Sequence, residues 1–178
     1  QQYGAKAMIQ LQHPGRQASM PRYPVYSASD IVMSMPWSQS HEILYENEEA
    51  KGKAVKQMDI ESVIEIVGLF SDAAWRVKQA GFDGVELHAA HGYLISQFMS
   101  PYLNRRTDRY GGSFENRMRF VMEIISSIQR KCGKGFPVLV RYSADEWIEG
   151  GRDLKESVRV AQALEEAGVA AIDLSQCT

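Results

Sequence analysis

The sequence predicts an α/β fold built on a parallel sheet, and two observations support this prediction. Short apolar runs that are typical of buried strands alternate along the chain with longer segments whose apolar residues recur at helical spacing. Two of the helical segments end alike, in QAGFDGVELH and EEAGVAAIDLS, where an Ala-Gly pair stops the helix just before an apolar strand. The repeat unit is therefore one strand plus one helix, and such alternation is typical of parallel sheets.

Four runs are predicted to be strands, and the last three of them each follow a helix. They cover residues 5–11, 84–87, 138–142 and 170–175. Each run is short, apolar and bounded by turn residues or helix ends, as expected for strands that are buried on both faces. Because parallel strands end at the same edge of a sheet, polar residues at the ends of these runs should lie together.

Three amphipathic helices are predicted between the strands. Apolar spacings of three and four define the first two, through Ile60, Val63, Val67, Phe70, Ala74 and Val77, and through Phe114, Met118, Val121, Ile125 and Ile128. A third helix should begin at Asp153, whose carboxylate can cap the first turn while Glu156 reaches back. Its inward residues are expected to be Leu154, Val158, Ala161 and Leu164.

A (β/α)8 TIM barrel is the architecture that best matches this repeat. Such barrels typically need about 250 residues, whereas this chain has 178 residues with four countable strands. We therefore expect one partial barrel domain over residues 1–178, with about four βα units. Residues 20–58 fit the repeat poorly and are expected to form a surface excursion. The absence of an initial methionine and the end just after an apolar run suggest a piece of a longer protein.

Composition and charge restrict the classes of function. The formal net charge of −2 and the 44% hydrophobic content predict an ordinary globular domain without a surface for nucleic acid. No run reaches the roughly 18 apolar residues of a membrane span, and the first residues lack a signal-peptide pattern, so we expect a cytoplasmic protein that does not bind membranes. Cys132 and Cys177 are too few for a disulfide framework.

Polar residues occur where the predicted strands end. At or near these ends lie Gln10, His88, Arg141 and Ser175. Together they would form one rim, which is where barrel enzymes place their catalytic groups. Barrel rims are also polar for structural reasons, so no single one of these residues is decisive. Judged on its own, Arg141 would pair with a nearby acid such as Asp145 or Glu146.

Residues 81–120 give a more specific signal. Their sequence, GFDGVELHAAHGYLISQFMSPYLNRRTDRYGGSFENRMRF, resembles the Old Yellow Enzyme family of FMN-dependent ene-reductases, particularly its bacterial branch. The segments AMIQLQHPGRQA and PVLVRYSADEW are similar to the third and fifth strands of that family. The resemblance implies a fragment covering roughly strands three to six of the barrel. It also implies reduction of the C=C bond of α,β-unsaturated carbonyl compounds by NADH or NADPH through bound FMN.

The resemblance implies roles for five residues. Gln10 would pair with the pyrimidine edge of the flavin, because an amide both donates and accepts hydrogen bonds. Arg141 would lie beside flavin N1 and the C2 carbonyl, where a permanent cation stabilises the charge of the reduced ring. His88 and His91 would hydrogen-bond the carbonyl or nitro oxygen of the substrate, and Tyr93 would donate the proton.

Other polar residues have less specific roles. His13 either supports the site or caps the end of its strand, and Ser175 and Gln176 are weaker candidates for lining the flavin site. The polar loop at residues 104–110 is expected to be structural and to hold the His and Tyr residues in position. Ser113 is well placed to cap the helix that follows.

Two other functions remain open from the residues alone. His88 and His91, with His13 or Cys177, could ligate zinc in a metal-dependent barrel hydrolase, although such sites usually need further ligands from other strands. A non-catalytic half-barrel is the other alternative. Some members of the family that this chain resembles contain an iron–sulfur cluster, and the resemblance implies that such a cluster would lie outside this chain. The expected partner is a small activated alkene, and the sequence leaves a homo-oligomer open.

Overall fold

A computed structural model describes residues 3–18, 25–30 and 55–176. The described strands, in chain order, are β1 (Met8–Leu11), β2 (Val25–Ser27), β3 (Val55–Gln57), β4 (Gly84–Ala89), β5 (Val138–Ser143) and β6 (Ala171–Ser175). The described helices are α1 (Ile60–Gln79), α2 (Leu94–Met99), α3 (Phe114–Cys132) and α4 (Leu154–Glu166). Gly15–Gln17 form a short 3-10 turn after β1.

The main sheet has four parallel strands in the order β1-β4-β5-β6. This arrangement confirms the predicted parallel α/β architecture, with helices on the connections between β4, β5 and β6. The observed strands differ from the predicted ones mainly at their ends. β4 extends to Ala89, so His88 lies within the strand and not after it.

The two faces of the main sheet have different chemistry. Side chains alternate between the faces of a strand, and residues paired in register share a face. The face that packs against the helices in the buried core is called the outer face. It is formed by Val85, Leu87, Ala89, Val138, Val140 and Tyr142. We call the inner face the one formed by Gln10, Glu86, His88, Leu139, Arg141, Ser143, Asp173 and Ser175. The polar residues of the sheet therefore lie together on the side opposite the core.

The first two predicted helices are confirmed. In α1 and α3 the predicted apolar positions are buried or pack against the core, as at Val63, Ala74, Val121 and Ile128. Side-chain caps begin both helices: Asp59 accepts a hydrogen bond from the Ser62 N–H at 2.8 Å, and Ser113 accepts one from the Asn116 N–H at 3.2 Å. Each cap satisfies a backbone donor that the first turn leaves unpaired.

The predicted inward face of α4 is correct at Leu164, which is buried, but wrong at Leu154 and Val158. Leu154 and Val158 are 63% and 58% exposed. The residues that α4 buries are Ser157, Val160 and Leu164. Ser157 accounts for the difference, because its hydroxyl donates to the carbonyl of Ala144 and its carbonyl accepts the Tyr142 hydroxyl at 3.0 Å. These two bonds fix the rotation of the helix against β5.

The cap of α4 is confirmed in one of its two parts. Asp153 accepts a hydrogen bond from the Glu156 N–H at 2.8 Å, as predicted. The Glu156 carboxylate does not reach back to the helix start but accepts two hydrogen bonds from Arg117 on α3, each at 2.8 Å. The half-buried ion pair therefore ties neighbouring helices together.

The predicted excursion contains a second, two-stranded parallel sheet, β2-β3. Residues 19–24 and 31–54, including His41, lie outside the described residues. The polar loop at 104–110 holds this small sheet, because Arg106 donates hydrogen bonds to the carbonyls of Ala28 and Met58 at 3.1 and 2.7 Å. None of the helices in the described part of the chain is long and apolar enough to cross a membrane.

Candidate active site

Three of the predicted residues meet at the carboxyl end of the inner face. In register, His88 pairs with Arg141 and Arg141 with Asp173, while Ser175 lies one inward position further along β6, beside Ser143. Neighbouring strands are about 4.8 Å apart, so these side chains are within reach of one another. The sequence prediction of a shared polar rim is confirmed for His88, Arg141 and Ser175.

The turn after β4 brings two imidazoles and a phenol together. The ring centroids of His88 and His91 are 4.9 Å apart, and those of His88 and Tyr93 are 5.0 Å apart. His91 adopts a φ of 58°, which is uncommon for a residue with a side chain. Tyr93 is the N-cap residue of α2, and its N–H donates to the Ala90 carbonyl at 3.2 Å. The strand, the tight turn and the buried helix together set the positions of the three rings.

Contacts from three different elements hold His91. Its N–H donates to Ser143 Oγ at 3.1 Å, and its carbonyl accepts a hydrogen bond from Gln17 Nε2 at 2.8 Å. The ring Nε2 lies 2.5 Å from Ser175 Oγ. The backbone and the ring of His91 are therefore both tied to the inner face, which explains how its left-handed conformation persists.

Burial and neighbouring charge keep both imidazoles neutral near pH 7. Desolvation, followed by the nearby His91 and Arg141, lowers the pKa of His88 from 6.5 to about 4. The pKa of His91 is also lowered, first by desolvation and then by Arg141. The carboxylate of Asp173 opposes both shifts without reversing them. A neutral imidazole can still donate one hydrogen bond to an oxygen.

Arg141 pairs with an acid that the sequence prediction did not include. Its Nε lies 3.2 Å from the Asp173 carboxylate, and its Nη2 donates to Ser175 Oγ at 3.4 Å. The expected partners Asp145 and Glu146 are engaged elsewhere: Asp145 accepts the Trp147 N–H at 2.7 Å, and Glu146 is buried. About a third of the Arg141 side chain remains exposed, which leaves surface for a ligand.

The hydrogen-bond partners of Gln10 and His13 are residues other than His88, His91 and Tyr93. Gln10 is exposed on the inner face of β1 and donates to the Glu86 carboxylate at 2.6 Å. The His13 ring accepts a hydrogen bond from the Gly15 N–H at 3.0 Å, and burial lowers its pKa. Its carbonyl accepts the Leu94 N–H at 3.0 Å, so His13 supports the start of α2.

Sequence reasoning missed Glu86, Ser143 and Asp173, which all contact predicted site residues. Asp173 could have been found, because it lies two residues before Ser175 and strand alternation places both on one face. Strand alternation also places Ser143, two residues after Arg141, on this face, but its hydrogen bond with His91 joins residues 52 positions apart and has no local signal. Among residues 3–18, 25–30 and 55–176, no three His, Cys, Asp or Glu side chains are grouped so as to hold a metal ion. Cys177 lies outside these ranges.

Comparison with known proteins finds relatives along the whole chain. The model of the NADH:flavin oxidoreductase / NADH oxidase family matches residues 1–178. The chain is 45% identical over 173 residues to an NADH oxidase from Thermoanaerobacter brockii, covering 97% of this chain and 25% of the relative. It is 38% identical over 186 residues to a cinnamate reductase from Clostridium sporogenes, covering 96% and 26%.

Solved structures agree with these relatives. An Old Yellow Enzyme from a Pichia species superposes with a TM-score of 0.78 and 29% identity, covering 97% of this chain and 47% of that enzyme. This similarity confirms that the four-stranded sheet is part of a TIM barrel. The chain spans between about a quarter and about half the length of the curated relatives that it matches. The family match supports FMN as the cofactor and NADH or NADPH as the reductant, and it shows that the chain belongs to the NADH:flavin oxidoreductase / NADH oxidase family.

Proposed function

We propose that the full-length protein containing this chain reduces the C=C bond of α,β-unsaturated carbonyl compounds, with NADH or NADPH as reductant and FMN as cofactor. The observation that supports this proposal most directly is the grouping of His88, His91 and Tyr93, whose neighbouring ring centroids are 4.9 and 5.0 Å apart. This grouping offers two neutral hydrogen-bond donors and one phenol on a face that also bears a guanidinium. One relative is a cinnamate reductase, whose name describes reduction of an activated alkene.

The inner face has the polar groups that a flavin ring needs. Gln10 presents an exposed amide on β1, and Arg141, two strands away on β5, keeps about a third of its side chain exposed. We propose that Gln10 pairs with the pyrimidine edge and that Arg141 lies at its N1 and C2-carbonyl side, where a cation favours the reduced form. Bound FMN would take a hydride from the nicotinamide and pass it to the alkene.

The two imidazoles are assigned to the substrate oxygen. His88 Nδ1 is buried and has no hydrogen-bond partner among the described residues, and burial keeps the ring neutral. His91 already has an oxygen, Ser175 Oγ, 2.5 Å from its Nε2, so its ring can approach an oxygen closely. Donors that are in place before the reaction stabilise the negative charge that develops on a carbonyl oxygen.

Tyr93 is assigned to the proton transfer. Its ring centroid lies 5.0 Å from that of His88, which is on the strand before the turn. Once the hydride has added to Cβ, the substrate is an enolate, which is a far stronger base than water, so a phenol can protonate its Cα. The phenolate that remains would recover its proton from solvent.

The experiment that tests this proposal uses the full-length FMN protein under anaerobic conditions. The enzyme is first reduced with one equivalent of NADPH or NADH and is then mixed with 2-cyclohexenone. We expect the visible absorbance of oxidised flavin to return and cyclohexanone to accumulate in equal amount. Reduced enzyme that remains colourless with the enone, while oxygen still reoxidises it, would contradict the proposal.

A further inference from the structure

A buried ion pair lies directly behind the candidate site. Arg152 and Glu146 belong to the loop between β5 and α4, and the side chain of each is 0% exposed. Their closest charged atoms, Nη2 and Oε1, are 3.6 Å apart. Removing two charges from water costs more than such a pair regains unless further hydrogen bonds compensate. The surrounding bonds therefore indicate what the pair does.

The guanidinium of Arg152 forms hydrogen bonds with the end of β5. Its Nε and Nη2 donate to the Ser143 carbonyl at 3.2 and 2.8 Å. Ser143 is the last residue of β5, and its hydroxyl in turn accepts the His91 N–H at 3.1 Å. A single residue thus connects the buried cation to the backbone of His91.

The carboxylate of Glu146 holds the far end of α2. Its Oε2 accepts the Ser100 hydroxyl at 2.7 Å and the Arg152 N–H at 3.0 Å. Ser100 follows α2 directly, and its Oγ accepts the N–H groups of Tyr102 and Leu103 at 3.2 and 3.0 Å. The segment from His91 through α2 is therefore held at both ends. Ser143 on β5 binds the N–H of His91 at its start, and Glu146 binds the hydroxyl of Ser100 at its end.

His91 needs such support because its backbone is strained. A side-chain-bearing residue at φ 58° persists only where its surroundings determine the conformation. We infer that Arg152 and Glu146 are positioning residues that hold His91 in this conformation, through Ser143, and keep its imidazole beside Ser175. The effect on catalysis rests on the proposed function, whereas the effect on the geometry of His91 does not.

Two variants test the inference in the full-length FMN protein. Arg152→Lys keeps a positive charge near Glu146 but cannot reproduce the two hydrogen bonds to the Ser143 carbonyl. Ser143→Ala keeps that carbonyl and both charges but removes the hydroxyl that accepts the His91 N–H. Arg117→Lys is the comparison variant, because Arg117 is a buried arginine in an ion pair of 2.8 Å with Glu156, and its other side-chain hydrogen bonds go to the carbonyls of Met99 and Gly112 instead of the end of β5. Each protein is labelled with ¹³C-histidine, and the His91 signal is followed against pH.

We expect the pKa of His91 to rise towards 6.5 in Arg152→Lys and Ser143→Ala, because the released ring moves into water and away from Arg141. It should not change in Arg117→Lys. With cyclohexenone, kcat should fall roughly 10- to 100-fold in the first two variants, as for other small misplacements of a reacting group, with flavin content unchanged.

An unchanged His91 titration in Ser143→Ala would overturn the inference, even if Arg152→Lys failed to fold. So would an equal shift in Arg117→Lys, since general loosening would then explain the result. If the wild-type protein did not reduce cyclohexenone, the proposed function would fall, while the histidine titrations would still decide whether the ion pair positions His91.

Discussion

The imidazole of His88 is buried on the inner face of β4, where its charged form is disfavoured. Its pKa is lowered from 6.5 to about 4, so between these values the unfolded chain takes up a proton that the folded chain does not. The free energy of unfolding contributed by His88 therefore falls as the pH drops from 6.5 to 4 and is constant above that window. The burial that keeps the His88 ring neutral therefore lowers the free energy of unfolding at acidic pH.

Replacing His88 by asparagine should remove this part of the pH dependence. One proton changes the slope of the unfolding free energy by at most about 1.4 kcal/mol per pH unit. We expect the curve of wild-type protein to fall more steeply than that of His88→Asn between pH 6.5 and 4. His13 and His91 titrate in both proteins, so urea denaturation at a series of pH values isolates the term from His88. Parallel curves would show that His88 is not kept neutral by the fold.

Removing the second imidazole should affect the substrate more than the flavin. In the full-length enzyme, His91→Ala should slow reoxidation by cyclohexenone by on the order of 10² to 10³, the effect of losing one oxyanion donor. Flavin content and reduction by NADPH should change far less. Rapid-mixing measurements of the two half-reactions test this expectation, and loss of FMN or an unchanged enone rate would refute the role assigned to His91.

Replacing Tyr93 by phenylalanine should separate two kinds of acceptor. The variant should reduce cyclohexenone slowly, because no phenol protonates the carbon, but should reduce quinones almost normally, because their oxygens take protons from solvent. Tyr102→Phe is the control, since Tyr102 lies after α2 and stacks with Arg105 instead of His88. Equal losses with both acceptors would indicate that Tyr93 acts through binding and not as the proton donor.

At the level of elements, local patterns predict the four strands of the main sheet, α1, α3 and the capping residues Ser113 and Asp153, but not β2 and β3. Their apolar spacing and capping residues are local signals, and tertiary contacts agree with them. The face of α4 could not be predicted in this way, because two apolar stripes compete and the hydrogen bonds of Ser157 to β5 decide between them. The same limit applies to His91, whose contact with Ser175 joins residues 84 positions apart.

Two valines on α4 test which stripe supports the fold. Val160 is 1% exposed and lies in the core, whereas Val158 is 58% exposed. In the 178-residue chain, Val160→Ala should lower the free energy of unfolding by roughly 1–3 kcal/mol, because a buried cavity results. Val158→Ala should change it by no more than about 0.5 kcal/mol. Urea denaturation of both variants measures these changes. A larger loss of unfolding free energy in Val158→Ala would support the inward face that was predicted from the sequence.

At the scale of the whole molecule, the described sheet has two edges, β1 and β6. Leu174 on β6 is 59% exposed, and Ile172 is 36% exposed. An apolar edge strand with unpaired backbone groups can pair with another chain. A TIM barrel closes by joining eight strands, and its phosphate site is frequently formed by the loops after strands seven and eight. The four strands described here present only the residues proposed for the flavin ring.

We therefore expect the 178-residue chain, expressed alone, to self-associate and to bind FMN weakly. Pairing through β6 predicts that Leu174→Lys shifts the chain towards monomer, because a charged side chain opposes edge pairing. Leu69→Lys is the control: Leu69 is 51% exposed but lies on α1, away from the strand edges. Light scattering after size-exclusion chromatography gives the mass of each protein, and the visible absorbance of the same peak gives its flavin content. A yellow wild-type monomer that retains FMN on the column would contradict this prediction. It would show that four strands suffice to bind the cofactor and that the edge strands do not cause self-association.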